Sequence, residues 1–138
     1  MSTTQLALLA RTTDPRTMLR RFLAVDAVVT GANGLAYLLV PGPLGRFLGV
    51  DSTLLVALGV FLTVYAAGVG LLASRERPPT PAVRAVIDAN LAWTVLSLVA
   101  LVLWLTPSTA GTVWTLLQAL TVAGFAAVQY VAVRATGT

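Results

Sequence analysis

Four apolar runs of membrane length alternate along the chain with short polar or proline-rich breaks, and the breaks carry most of the charge. The first run follows Asp14-Pro15, a side-chain acceptor for a helix N-terminus and a proline at the first helical position. It predicts a helix over about residues 15–40, apolar from Phe22 onward and ended by Pro41-Gly42-Pro43. Residues 41–51 read as an apolar loop at the membrane interface. Asp51 or Ser52 then caps a second helix, about 52–74. Arg75-Glu76-Arg77-Pro78-Pro79 breaks the pattern, and Thr80-Pro81 repeats the cap-and-proline start for a third helix, about 81–106. Pro107 separates it from a fourth, about 110–134. Roughly 20 helical residues at 1.5 Å rise cross the ~30 Å hydrocarbon core of a bilayer. All seven prolines fall at these boundaries, where they interrupt no helical hydrogen-bond ladder. The pattern predicts an all-α protein: an antiparallel four-helix transmembrane bundle over residues 14–136, preceded by a polar arm over residues 1–13.

Composition strengthens this reading. The 138 residues are 57% hydrophobic and 10% charged, against about 25% charged in soluble domains. All nine cations are arginines. The N-terminal arm and helix start, residues 75–84 and the C-terminal tail hold all but Arg46. The positive-inside rule therefore places both termini and the 75–80 loop in the cytoplasm, with the chain in the plasma membrane. The arginines flank apolar runs and interleave with no aromatic patch, which argues against a nucleic-acid partner. Cysteine and histidine are absent. Disulfides, thiolate chemistry and the commonest metal ligands and general base are thereby excluded, and no cofactor or metal site is expected.

The candidate chemistry lies in the polar residues within the spans. Asp26, Thr30, Asn33 and Tyr37 stand at i, i+4, i+7 and i+11, one face of the first helix. An acid at mid-span costs roughly 2.5–3.5 kcal/mol on insertion scales, so something must offset Asp26. Arg84 or Arg134 on a neighbouring helix is one counter-charge; a ligand, ion or proton site is the other reading. The third helix offers Asp88, Asn90, Trp93, Thr94 and Ser97, and the fourth Gln118, Phe125 and Gln129. The second offers Tyr65 and a small-residue seam, Gly59-x-x-x-Thr63-x-x-x-Ala67, while Gly31 and Gly34 permit close approach in the first. Counting from the flanking arginines puts Asp26, Asp88 and Gln129 at one depth and Asn33 and Gln118 together at another. The structural alternative for each is plain. Asp88 pairs with Arg84 at i, i−4; the amides act as interhelical hydrogen bonds; Trp104 and Trp114 anchor the interface; Trp93 packs.

Several of these residues also carry a resemblance. Leu23-Ala-Val-Asp26-Ala-Val-Val-Thr-Gly31-Ala-Asn33-Gly34-Leu-Ala-Tyr37, with Gly42-Pro43-Leu44, Asn90-Leu-Ala-Trp93 and Gln118-Ala-Leu-Thr-Val-Ala-Gly-Phe125-Ala-Ala-Val-Gln129, resembles a group of small four-span integral membrane proteins of high-GC bacteria. The absence of lysine agrees with such a source. The layout is also similar to the four-span DoxX-like class. The resemblance covers about residues 18–135 and implies fold and membrane location. It implies no activity.

Three functions follow from this pattern. The first is a ligand site around Asp26, open to the cytoplasmic leaflet. It would bind or transport a small amphipathic or cationic molecule through Asp26, Asn33, Tyr65, Asp88, Asn90, Trp93, Gln118 and Gln129, with a homodimer expected for transport. The second is a non-catalytic accessory subunit in which the same residues are interhelical clamps. The third is an intramembrane enzyme using Asp26 and Asp88 as an acid–base pair. No nucleophile is placed beside a base, which weighs against it.

Overall fold

A computed structural model describes residues 14–103 and 108–136, and all of its regular structure is helical. The helices are α1 (Pro15–Leu39), α2 (Pro41–Leu48), α3 (Ser52–Ser74), α4 (Thr80–Leu103) and α5 (Thr109–Ala135). All but α2 are long and apolar enough to cross a membrane, as a multi-pass membrane protein requires. The polar arm, Trp104 and Pro107 fall outside the described residues.

The caps predicted at Asp14 and Asp51 form. The Asp14 carboxylate accepts the Arg16 N–H at 3.4 Å, and Asp51 accepts that of Thr53 at 2.7 Å. Ser108 caps α5 by accepting the Gly111 N–H at 3.1 Å. The expected 41–51 loop is corrected: most of it is the helix α2. Pro41 closes α1 but also occupies the first turn of α2, where the N–H it lacks would have had no partner. Gly49 ends α2 in the left-handed region, at φ 69°, where a β-carbon is unfavourable. Ser108 ties this end together: its hydroxyl donates to the Phe47 carbonyl at 2.7 Å and its N–H to Leu48 at 3.2 Å.

The spans pack as two antiparallel pairs, α1 with α3 and α4 with α5, joined through α1 and α5. Although α3 and α4 are consecutive, their backbones come close at few points, and side chains such as Tyr65 and Phe61 bridge them. The α1–α3 crossing is close because glycine allows it. A β-carbon on Gly34 would stand 2.7 Å from Thr63 Oγ1 and 2.9 Å from the Thr63 nitrogen, and one on Gly59 would meet the Gly34 carbonyl oxygen at 2.9 Å. The seam predicted to run on to Ala67 is corrected by one position: Ala66 faces Gly31, while Ala67 is exposed.

Packing differs between the two ends. The end bearing the termini is filled by Leu19, Leu23, Val69, Leu72, Val83, Ile87 and their neighbours. The opposite end has a smaller cluster around Tyr37, Leu55 and Leu62. The asymmetry is clearest in α4, whose buried residues all lie between Val83 and Asn90; none from Leu91 to Leu103 is buried. The outward faces are bare aliphatic surface, such as Leu71, Val102 and Leu120 at 70–80% exposure. Such continuous apolar area suits lipid and would aggregate in water.

Candidate functional site

Asp26 is fully buried where α1, α4 and α5 meet. Three donors converge on its carboxylate. Thr30 Oγ1, one turn along α1, donates to Oδ1 at 3.0 Å. Asn90 Nδ2 from α4 and Gln129 Nε2 from α5 donate to Oδ2 at 3.0 and 2.8 Å. The two amides are also joined, Asn90 Nδ2 donating to Gln129 Oε1 at 3.0 Å. From α3, the Tyr65 hydroxyl lies 3.1 Å from Asn90 Oδ1 and 3.3 Å from the Val86 carbonyl, both acceptors for its single proton. All four spans thus contribute to one connected network, whose members use most of their hydrogen-bonding capacity on one another.

The network corrects the expected counter-charge. Every partner of Asp26 is neutral. Arg134 instead stands over the Tyr130 ring and donates to its hydroxyl at 2.9 Å. Arg84 and Asp88 are both exposed and form no ion pair among the described residues. Asp88 therefore leaves the group expected from the sequence. It lies about 200° round the helix from Asn90, and because Asn90 turns inward, Asp88 turns out. With the two acids apart, the acid–base pair of the enzymatic reading is not assembled.

Beyond Asn90, on the side away from the chain termini, lies a cavity of about 330 Å³. That volume falls at the small end of small-molecule sites. The cavity exists because α4 stops packing after Asn90, so long side chains rather than close helix contact span the gap. Trp93 Nε1 donates to Gln118 Oε1 at 2.7 Å, and Gln118 Nε2 donates to Ser97 Oγ at 3.1 Å. Six of the chain's ten aromatic side chains line the space: Tyr37, Phe61, Tyr65, Trp93, Trp114 and Phe125. Trp114, expected as an interface anchor, donates through Nε1 to the Tyr37 hydroxyl at 2.8 Å. Phe61 stacks on both Tyr65 and Trp93, with ring centroids 6.0 and 6.1 Å apart.

The sequence-derived candidates consequently divide. Asn33, Tyr65, Asn90, Trp93 and Gln118 line the cavity. Asp26 and Gln129 lie one layer behind it, reached through Asn90 and Thr30, each of which touches both the carboxylate and the cavity. Tyr37, Phe61 and Trp114 join the site without having been assigned to it from the sequence. Tyr37 could have been found, as it continues the Asp26–Thr30–Asn33 face. Nothing in the sequence distinguishes Phe61 from a lipid-facing ring. Asn33 alone of the amides in the cavity wall makes no side-chain hydrogen bond among the described residues. The Tyr37 hydroxyl accepts from Trp114 and has no acceptor for its own proton among the described residues.

No family model matches the chain, and no curated protein or solved structure matches it either.

Proposed function

We propose that this membrane protein binds a small amphipathic molecule in the cavity between its four spans. The observation that carries the reading is Asn33. Its half-buried carboxamide faces an aromatic-lined space without a side-chain partner among the described residues, and a polar group so placed within a membrane protein is costly unless something hydrogen-bonds to it. One turn further along α1, the Tyr37 hydroxyl adds a spare proton. Asn33 and Tyr37 would hold a polar head by hydrogen bonds, and the aromatic walls would bury an apolar body. This shifts the expected site from Asp26 itself to the layer beyond it. Asp26, Gln129 and Thr30 serve as positioning residues that fix the Asn90 amide in the cavity floor. We place the protein in the plasma membrane with both termini in the cytoplasm, on the asymmetry of its arginines.

The accessory-subunit reading rests on a different observation: the Asp26 network is self-satisfied and joins all four spans, which is what a clamp requires. Filling the cavity separates the two. Ala89 lines the cavity next to Asn90 without belonging to the network. The purified chain in lipid nanodiscs would be screened by thermal unfolding against membrane-soluble amphiphiles, beside Ala89→Phe. Binding predicts that at least one compound raises the wild-type midpoint and that Ala89→Phe abolishes the shift. If no compound acts and Ala89→Phe is as stable as the wild type, the cavity is a packing defect and the clamp is the function.

A further inference from the structure

The charge around the cavity narrows the class of ligand. None of the residues lining it is ionisable to a cation or a carboxylate. The formal charge nearest its floor is Asp26, separated from it only by Thr30 and Asn90, each hydrogen-bonded to the carboxylate at 3.0 Å. Three groups able to donate stand against its oxygens, matching the acceptor sites of a carboxylate. Its partners are all neutral, so hydrogen bonds disperse the charge without cancelling it. A charge stripped of water and left unpaired acts over a longer range than one in solvent. Six aromatic rings also line the space, and an aromatic ring attracts a cation that reaches its face. The wall groups with spare hydrogens, at Asn33 and Tyr37, also offer oxygen lone pairs, so they accommodate a cationic head as well as a neutral one.

We infer that the ligand is a lipophilic cation: an amine or quaternary ammonium whose head lies over the Asn90–Thr30 floor and whose apolar body lies among the aromatic rings. The inference rests on the proposed binding function and adds the sign of the charge. Asp26 acts in it through space, as the fixed counter-charge, and makes no direct contact with the head. The cation balances a charge that no described side chain neutralises.

The test compares heads on one tail. Binding of n-octyltrimethylammonium, n-octanol and n-octyl sulfate to the full chain in zwitterionic nanodiscs is read by tryptophan fluorescence, since Trp93 and Trp114 line the site. Partitioning is subtracted with protein-free discs. The expected result is that the cation binds at least ten-fold more tightly than the alcohol, and that the sulfate does not bind. In Asp26→Asn, whose fold is checked independently by circular dichroism and thermal unfolding, the ratio of cation to octanol affinity should fall to less than three-fold. Equal binding of cation and alcohol to the wild type, or an advantage that persists in a folded Asp26→Asn, overturns the inference and leaves the proposed binding function standing. Binding of none of the three overturns both. If Asp26→Asn does not fold, the wild-type series decides alone.

Discussion

Asp26 is held by donors, with no cation beside it, and this changes what each partner is worth. Interhelical hydrogen bonds between neutral groups in membranes contribute about 0.6 kcal/mol on average, because the separated helices find other partners. A bond to a charged acceptor is worth about 1.5–3 kcal/mol, and removing a donor also leaves buried charge uncompensated. The second effect wins here, since Asp26 is fully buried and has only three donors. Asn90→Leu should therefore destabilise the bundle by about 2 kcal/mol, read from reversible unfolding in detergent. The same substitution on an Asp26→Leu background should cost less than about 1 kcal/mol, because the stranded charge is gone; such couplings typically run at about 0.5–3 kcal/mol. Equal costs on the two backgrounds would show that Asn90 contributes by packing alone. Gln129→Leu should behave like Asn90→Leu, since it too removes a donor from Oδ2. Asp88→Asn should leave stability within about 0.5 kcal/mol of wild type, as expected of an exposed position without a partner.

Among the elements, the α1–α3 pair depends most on backbone proximity. Gly34→Ala would drive a β-carbon against the Thr63 nitrogen and the Gly59 carbonyl oxygen, which are backbone atoms and cannot rotate aside. The helices would have to part, at a cost of about 1–3 kcal/mol. Gly68→Ala and Gly124→Ala meet nothing within 4 Å and should be neutral or stabilising by up to about 1 kcal/mol through helix propensity. Thermal unfolding of the three variants checks the contrast. The small-residue faces of the two helices were legible in the sequence, but that they meet each other was not. The four spans were legible, since length, hydropathy and proline position agree. The short helix α2 was obscured by Pro41-Gly42-Pro43, where the same prolines that end one helix begin another. Within the site, the shared face of Asp26, Thr30, Asn33 and Tyr37 could be read from spacing. The partners of Asp26 could not: which stripe of α4 turns inward is a matter of packing between helices, and it brought Asn90 to the carboxylate while leaving Asp88 outside.

At the scale of the whole molecule, a packed half adjoins a hollow one, and the Asp26 network marks the boundary. The packed half carries the termini and the α3–α4 connection; the hollow half carries α2 and the start of α5. The arginines divide along the same line. Arg16, Arg20, Arg21, Arg75, Arg77, Arg84 and Arg134 stand at the packed end, and Arg46 on α2 at the other. Because cytoplasmic loops retain arginine, the cavity should lie in the outer half of the bilayer, opposite to where a site centred on Asp26 and open to the inner leaflet would be. The chain has no cysteine, so single introduced thiols can report the orientation without background. Arg46→Cys and Glu76→Cys both change exposed residues that make no side-chain bond among the described residues. In intact cells a membrane-impermeant maleimide should label Arg46→Cys within minutes and Glu76→Cys only after permeabilisation. The reverse pattern would invert the protein, placing the hollow half on the cytoplasmic side, so that a ligand reaching it from the bilayer would come from the inner leaflet. Labelling of both sites in intact cells would instead contradict four spans, because these positions lie at opposite ends of α3 and must face opposite compartments if that helix crosses the membrane.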